Sequence, residues 1–187
     1  MTNNMRKIKS GSDLREMFSV LSSRSPADDE SVVCSVKDIL EAVRSRGDSA
    51  LIDLTARFDR WTPSDAGSLR VTEDEIEEAC AEVGDELIGI FAEAAANIRS
   101  YHENQRRETW YVDRPHGSYL GQKITPLAAA GIYVPGGKAA YPSSVLMNII
   151  PAKVAGVREI IMCTPNPNKT VLAAAKLAGV DKIFKIG

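Results

Sequence analysis

Pro135-Gly136-Gly137 follows the β-branched run Ile132-Tyr133-Val134 and precedes a long apolar segment, so a strand leads through a glycine turn into a helix. Glycine lets another molecule approach the backbone, and the helix that follows offers unpaired N–H groups and a positive dipole end. Such a loop suits a phosphate or a flat cofactor edge, although a tight turn without a ligand fits the same residues. Tyr133 alternates with Ile132 and Val134 and could present a ring and hydroxyl at the upper edge of a sheet, or fill a core. The GxGxxG dinucleotide fingerprint is absent. Ser143 and Ser144 follow Pro142 and are expected to cap the helix, because no His or Lys base stands near them in sequence.

Other candidate groups point to less. Cys34, Cys80 and Cys163 are odd in number and widely spaced, which suits free, mostly buried thiols and neither disulfides nor a zinc knuckle. His102 falls on the polar side of a helix and His116 at a turn, and no third ligand stands at a metal-binding spacing. The acidic run after Thr72 reads as a helix start, with Thr72 as N-cap and Glu75 at N3 in a capping box. From Ala129 onward seven basic residues face two acidic ones, a balance of +5 that leaves −7 for the rest of a chain of net charge −2. An anion would prefer that part, unless its lysines only solvate two helices. The overall charge gives no reason to expect nucleic acid or a membrane as partner.

The elements that position these groups divide into two grammars. A chain of 187 residues with 44% hydrophobic content can bury a core. It has neither an apolar run long enough to cross a bilayer nor a secretory leader pattern, so a cytoplasmic location is expected. Residues 1–128 read as a mostly helical region with a hairpin. Ser12 is expected to cap DLREMFSVL, Gly47 to end a helix running from Ser31, and Asp48 to cap ALIDLTARF. A longer helix is expected from Asp85 through Trp110, and Pro115-His116-Gly117 to turn a hairpin. From Ala129, strand, helix, strand, helix and strand alternate, the βαβαβ pattern of a Rossmann-like parallel sheet; the fold class is α/β. AKVAGVREIIMC and AKLAGVDKIFKI align without a gap, each a helix, a glycine, a valine and a strand, which one packing solution used twice explains.

GIYVPGGKAAYPSSVLMNIIPAKVAGVREIIMCTP resembles the signature region of the histidinol dehydrogenases. The likeness extends back through VRSRGDSALIDLTARFD, AAANIRSYHENQ and LGQKITPL, and forward through LAGVDKIFKIG. It implies an NAD- and zinc-dependent oxidoreductase of histidine biosynthesis that oxidises L-histidinol through an aldehyde to L-histidine. It further implies NAD contact by Tyr133, with Gly136 and Gly137 giving the cofactor room, so that 129–187 forms the first part of an NAD-binding domain. The family's Gly-Gly-Ala-Gln segment would begin at Gly187. The zinc ligands, the Glu-His catalytic pair and the other NAD contacts match no residue here, and neither His102 nor His116 matches a ligand. The expectation is an amino-terminal portion, inactive alone and homodimeric when full length. Its alternatives are a related dehydrogenase for another small alcohol, such as a sulfonated diol, and a non-catalytic binding fragment whose uncovered strand edge and sheet face attract a partner.

Overall fold

Burial alternates along each strand of the carboxyl-terminal region, and that alternation defines the architecture. The computed structural model describes residues 10–22, 30–136 and 140–187. The chain separates into two compact units, Met1–Gly47 and Asp48–Gly187.

The first unit contains α1 (Gly11–Ser22) and α2 (Glu30–Arg46). The cap of α1 is Ser10 rather than Ser12, since the Ser10 hydroxyl accepts from the Asp13 N–H at 3.3 Å. Gly47 ends α2 in the left-handed region at φ 59°. Val32, Val33, Val36 and Leu40 fall at helical spacing as expected, yet all four are exposed.

The second unit begins at α3 (Asp48–Phe58), in which Asp48 is the first helical residue and not the cap. Thr72 caps α4 (Glu73–Val83): its hydroxyl accepts from the Glu75 N–H at 3.2 Å and its own N–H donates to Glu75 Oε2 at 2.8 Å, completing the capping box. The next helix, α5 (Asp85–Glu103), stops seven residues short of Trp110. Its end is closed by local bonds, from Asn104 Nδ2 to the Ser100 carbonyl and from the Gln105 N–H to that of His102. The hairpin β1 (Trp110–Asp113) and β2 (Tyr119–Gln122) turns through Pro115–Gly117, where His116 adopts φ 68° at the tip.

The α/β expectation holds in the rest of the chain. Strands β3 (Ala129–Tyr133), β4 (Glu159–Cys163) and β5 (Lys182–Phe184) form a parallel sheet in that order, linked by α6 (Pro142–Val154) and α7 (Lys169–Ala178). Ile160 and Met162 of β4 and Ile183 of β5 join Ile149 and Ile150 of α6, Leu172 and Ala175 of α7, and Phe91 of α5 in one apolar core. All the core positions lie on one face of the sheet. On the other face Gly131 and Tyr133 are exposed and Ile161, Cys163 and Phe184 half-buried.

The internal repeat is a repeated helix stop. The Val157 N–H donates to the Ala152 carbonyl and the Gly156 N–H to that of Lys153; the Val180 N–H donates to Ala175 and the Gly179 N–H to Lys176. Each set is a complete Schellman motif around a left-handed glycine. The outer edge of β5 is not open, because Val71 donates to the Ile183 carbonyl and Lys185 to that of Leu69. Residues 69–71 thus cover that edge, which leaves the binding-fragment alternative without an uncovered edge at β5.

The basic carboxyl-terminal part holds acids of its own chain. Lys169 pairs with Glu78 and Glu82, Lys176 with Glu73 and Lys185 with Glu75, all on α4, while Lys153 pairs with Asp181 and Lys182 with Glu159. The excess of +5 is therefore largely spent within the fold, and the anion preference expected from charge alone falls away for these lysines.

Asp181 also ties the two βα units together. One carboxylate oxygen accepts from the Ile160 N–H at 2.7 Å and from Lys153 Nζ at 3.1 Å. The backbone bond from Ile160, and secondarily Lys153, hold its pKa below the ordinary value. Partial burial of Glu75 opposes ionisation, but Lys185 and the Thr72 N–H outweigh it and its pKa also falls. Because both pKa values are lowered in the folded state, the stabilisation is fully present above the ordinary carboxylate range and fades as pH falls below it. In acid titrations of unfolding, Asp181→Asn should start less stable at neutral pH and lose less on acidification than the parent; parallel curves would remove Asp181 from this role.

Candidate functional site

The carboxyl ends of β3, β4 and β5 open onto one edge, the place where ligands bind in parallel sheets. Tyr133, Cys163 and Phe184 stand in register across it. The strands remain paired one residue further, with Val134 N–H donating to the Cys163 carbonyl at 2.9 Å and Thr164 N–H to that of Phe184 at 3.0 Å.

Tyr133 is 56% exposed while Val134 beside it is fully buried. The core alternative for Tyr133 is thereby set aside, and its ring and hydroxyl lie open on the uncovered face. Cys163, next to it, has its thiol pushed up from the ordinary value by partial burial. It is a neutral thiol at physiological pH rather than a nucleophilic thiolate. The thiols as a group depart from expectation, since Cys34 is exposed and Cys80 and Cys163 only half-buried.

What lies against the glycine turn is another part of the same chain. A Cβ at Gly136 would meet the Pro165 carbonyl oxygen at 2.1 Å. A Cβ at Gly187 would come within 2.7 Å of the Asp59 carboxylate and 3.1 Å of the Pro165 ring. The three segments that leave the strands therefore converge on Pro165. Asn166, at φ 43°, continues that turn and its Nδ2 donates to the Asp59 carbonyl at 3.3 Å. Gly136 is required by this packing whether or not a cofactor approaches it. Gly137 lies outside the described residues.

Helix α6 begins at Pro142, so Ser143 and Ser144 are inside its first turn and do not cap it. Proline supplies the helical φ at the first position, which makes a side-chain cap less necessary. Asn168 does cap α7, accepting from the Val171 N–H at 2.9 Å. Thr164, Pro165, Asn166 and Asp59 form the second wall of this edge, and sequence reasoning did not single them out. Nothing local in the Asn-Pro-Asn run signals its contact with residue 136.

His102 and His116 are not brought together with other metal-binding groups. Among the described residues no group of three or more His, Cys, Asp or Glu side chains could hold a metal ion. None of the described helices is long and apolar enough to cross a membrane.

Comparison with known proteins agrees with this geometry. The histidinol dehydrogenase family model matches residues 22–187. The histidinol dehydrogenase of Geobacter sulfurreducens is 52% identical over 156 residues, which cover 81% of this chain and 36% of that protein. The histidinol dehydrogenase of Pseudomonas fluorescens strain Pf-5 is 49% identical over 177 residues, 92% of this chain and 40% of that protein. The crystal structure of histidinol dehydrogenase from Elizabethkingia anophelis superposes with a TM-score of 0.75 at 33% identity, covering 98% of this chain and 39% of that one. This chain thus spans well under half the length of the relatives it matches. With the family model covering most of the chain and about half the aligned residues shared with the Geobacter and Pseudomonas proteins, the chain belongs to the histidinol dehydrogenase family.

Proposed function

We propose that this chain is the amino-terminal portion of a histidinol dehydrogenase, an oxidoreductase that converts L-histidinol to L-histidine in two NAD-dependent steps. The observation that carries the reading is Tyr133, exposed at the carboxyl end of β3 in a family member whose fold leaves that edge open. Residues 129–187 would form the first part of the NAD-binding domain. The residues present fit a dinucleotide edge. Tyr133 offers a ring for stacking and a hydroxyl for one hydrogen bond, and the half-buried Ile161 and Phe184 continue an apolar surface beside it. Gly136 keeps the neighbouring loop low by letting it pack on Pro165, and Gly137 is assigned the same cofactor contact from the family likeness alone.

NAD when bound supplies the hydride acceptor; this chain's part is to hold and orient it. Zinc, which the family uses to position the substrate, gains no ligand set from the described residues. Its ligands and the acid-base pair are assigned to the portion of the relatives that this chain does not match. On this reading residues 1–187 alone do not oxidise histidinol, and the full-length protein acts as a cytoplasmic homodimer.

The test is a fusion of residues 1–187 to the unmatched carboxyl-terminal remainder of the Geobacter sulfurreducens relative. It should form NADH from L-histidinol, while the 187-residue chain forms none. Turnover by the chain alone, or none by a folded fusion, overturns the reading. In the fusion, Tyr133→Phe should weaken NAD binding by about 0.5 to 1.5 kcal/mol, the value of one hydrogen bond. Unchanged affinity removes the hydroxyl from the contact.

A further inference from the structure

A cavity of about 550 Å³ lies at the opposite end of the sheet from Tyr133, between the carboxyl ends of α5 and α6 and the segment that leads into β3. Its volume falls within the range of small-molecule sites, roughly 300 to 1,000 Å³. The floor is apolar, with Pro126, Leu127 and Val154 among its residues. Leu127 is 69% exposed, so a large apolar side chain faces open space there.

The rim has the opposite chemistry. Arg106 and Arg107 line it, together with His102, whose Nδ1 lies 2.7 Å from Gln105 Oε1. The lysines at 153, 169, 176, 182 and 185 are each paired with a carboxylate, whereas Arg106 and Arg107 have no such partner among the described residues. Two uncommitted guanidiniums above an apolar floor match a ligand with an anionic head and an apolar body, because guanidinium binds planar oxyanions through paired N–H donors. A bare inorganic anion would leave the floor unfilled, and a neutral hydrocarbon would leave the rim unused.

We infer that this cavity is a binding site for a small organic anion, a carboxylate, sulfonate or phosphate borne on an apolar body, separate from the open edge at Tyr133. Arg106 and Arg107 bind the head, and Pro126, Leu127 and Val154 take the body. The loops at 104–109 and 123–128 enter and leave the β1–β2 hairpin and are joined by Thr109 Oγ1, which accepts from the Ile124 N–H at 3.0 Å. An occupant would therefore bridge the root of the hairpin to the end of α6.

The probe is 8-anilinonaphthalene-1-sulfonate, an anionic head on an aromatic body, titrated into the 187-residue chain by fluorescence. Three variants accompany the parent. Arg106→Gln with Arg107→Gln removes both charges from exposed positions. Ala155→Trp places an indole into the cavity from an exposed lining position at the end of α6. Arg158→Gln removes one exposed charge outside the cavity as the control. The expected result is one saturable site that weakens about tenfold or more in the double arginine variant, disappears in Ala155→Trp and is unchanged in Arg158→Gln. Equal binding by the parent and both cavity variants overturns the site. Loss in Ala155→Trp with no loss in the double arginine variant overturns the anion and leaves an apolar groove.

Discussion

Ile149→Ala should lower the unfolding free energy of the Asp48–Gly187 unit by about 2 to 5 kcal/mol, the range for truncating a large buried aliphatic side chain. Ile149 is fully buried in α6, within the core that joins β3 and β4 to α5 and α7. Its loss removes apolar transfer energy and leaves a cavity that well-packed neighbours close only in part. Ile149→Val, which removes one methylene, should cost about 0.5 to 1.5 kcal/mol. Met147 on the same helix is 64% exposed, and Met147→Ala should stay within about 0.5 kcal/mol of the parent. Urea unfolding separates the three: the midpoint should fall most for Ile149→Ala at an unchanged slope. Equal midpoints for the alanine variants at 147 and 149 would mean that α6 does not pack with the face described.

The contrast between Ile149 and Met147 also marks how far the sequence could be read. Helix α6 is apolar nearly all round, so its composition pointed to burial but gave no face. The face came from the sheet beneath it and from α5 and α7 on either side. Signals that close within a few residues were legible in part, since the caps expected at Ser12, Asp48, Ser143 and Ser144 are not used. The Thr72–Glu75 capping box and the glycine-valine stops at 156–157 and 179–180 fix their own hydrogen bonds and needed no tertiary information. The hairpin turn at 115–117 was legible for the same reason.

Signals that depend on a distant partner were not legible. The run of charge after Ala129 looked available to an anion, but α4 supplies Glu73, Glu75, Glu78 and Glu82 to its lysines from about a hundred residues away. Arg106 and Arg107 fall within the helix expected to run to Trp110, and only the approach of residues 124–127 and α6 makes them the rim of a cavity. The outer edge of β5 is filled by residues 69–71, a pairing across more than a hundred positions that strand periodicity cannot show.

Gly136→Ala carries the same lesson into the candidate site and should be the most disruptive small substitution there. The added Cβ would lie 2.1 Å from the Pro165 carbonyl oxygen and 2.8 Å from its ring, so a backbone segment must move. Overpacking of this kind costs about 1 to 3 kcal/mol, and here the strain falls between the loops that leave β3 and β4. The control is Gly131→Ala, on the exposed face of β3, where an added Cβ meets nothing within 4 Å. It should change stability by less than about 0.5 kcal/mol. If the loop also supports NAD beside Tyr133, Gly136→Ala in the fusion protein should weaken NAD binding beyond what its stability loss explains, measured at a temperature where both proteins are folded. Normal stability in Gly136→Ala would mean that the 136–165 contact is looser than described. Lost stability with normal NAD affinity would assign Gly136 to packing alone and leave Tyr133 as the proposed cofactor contact of this edge.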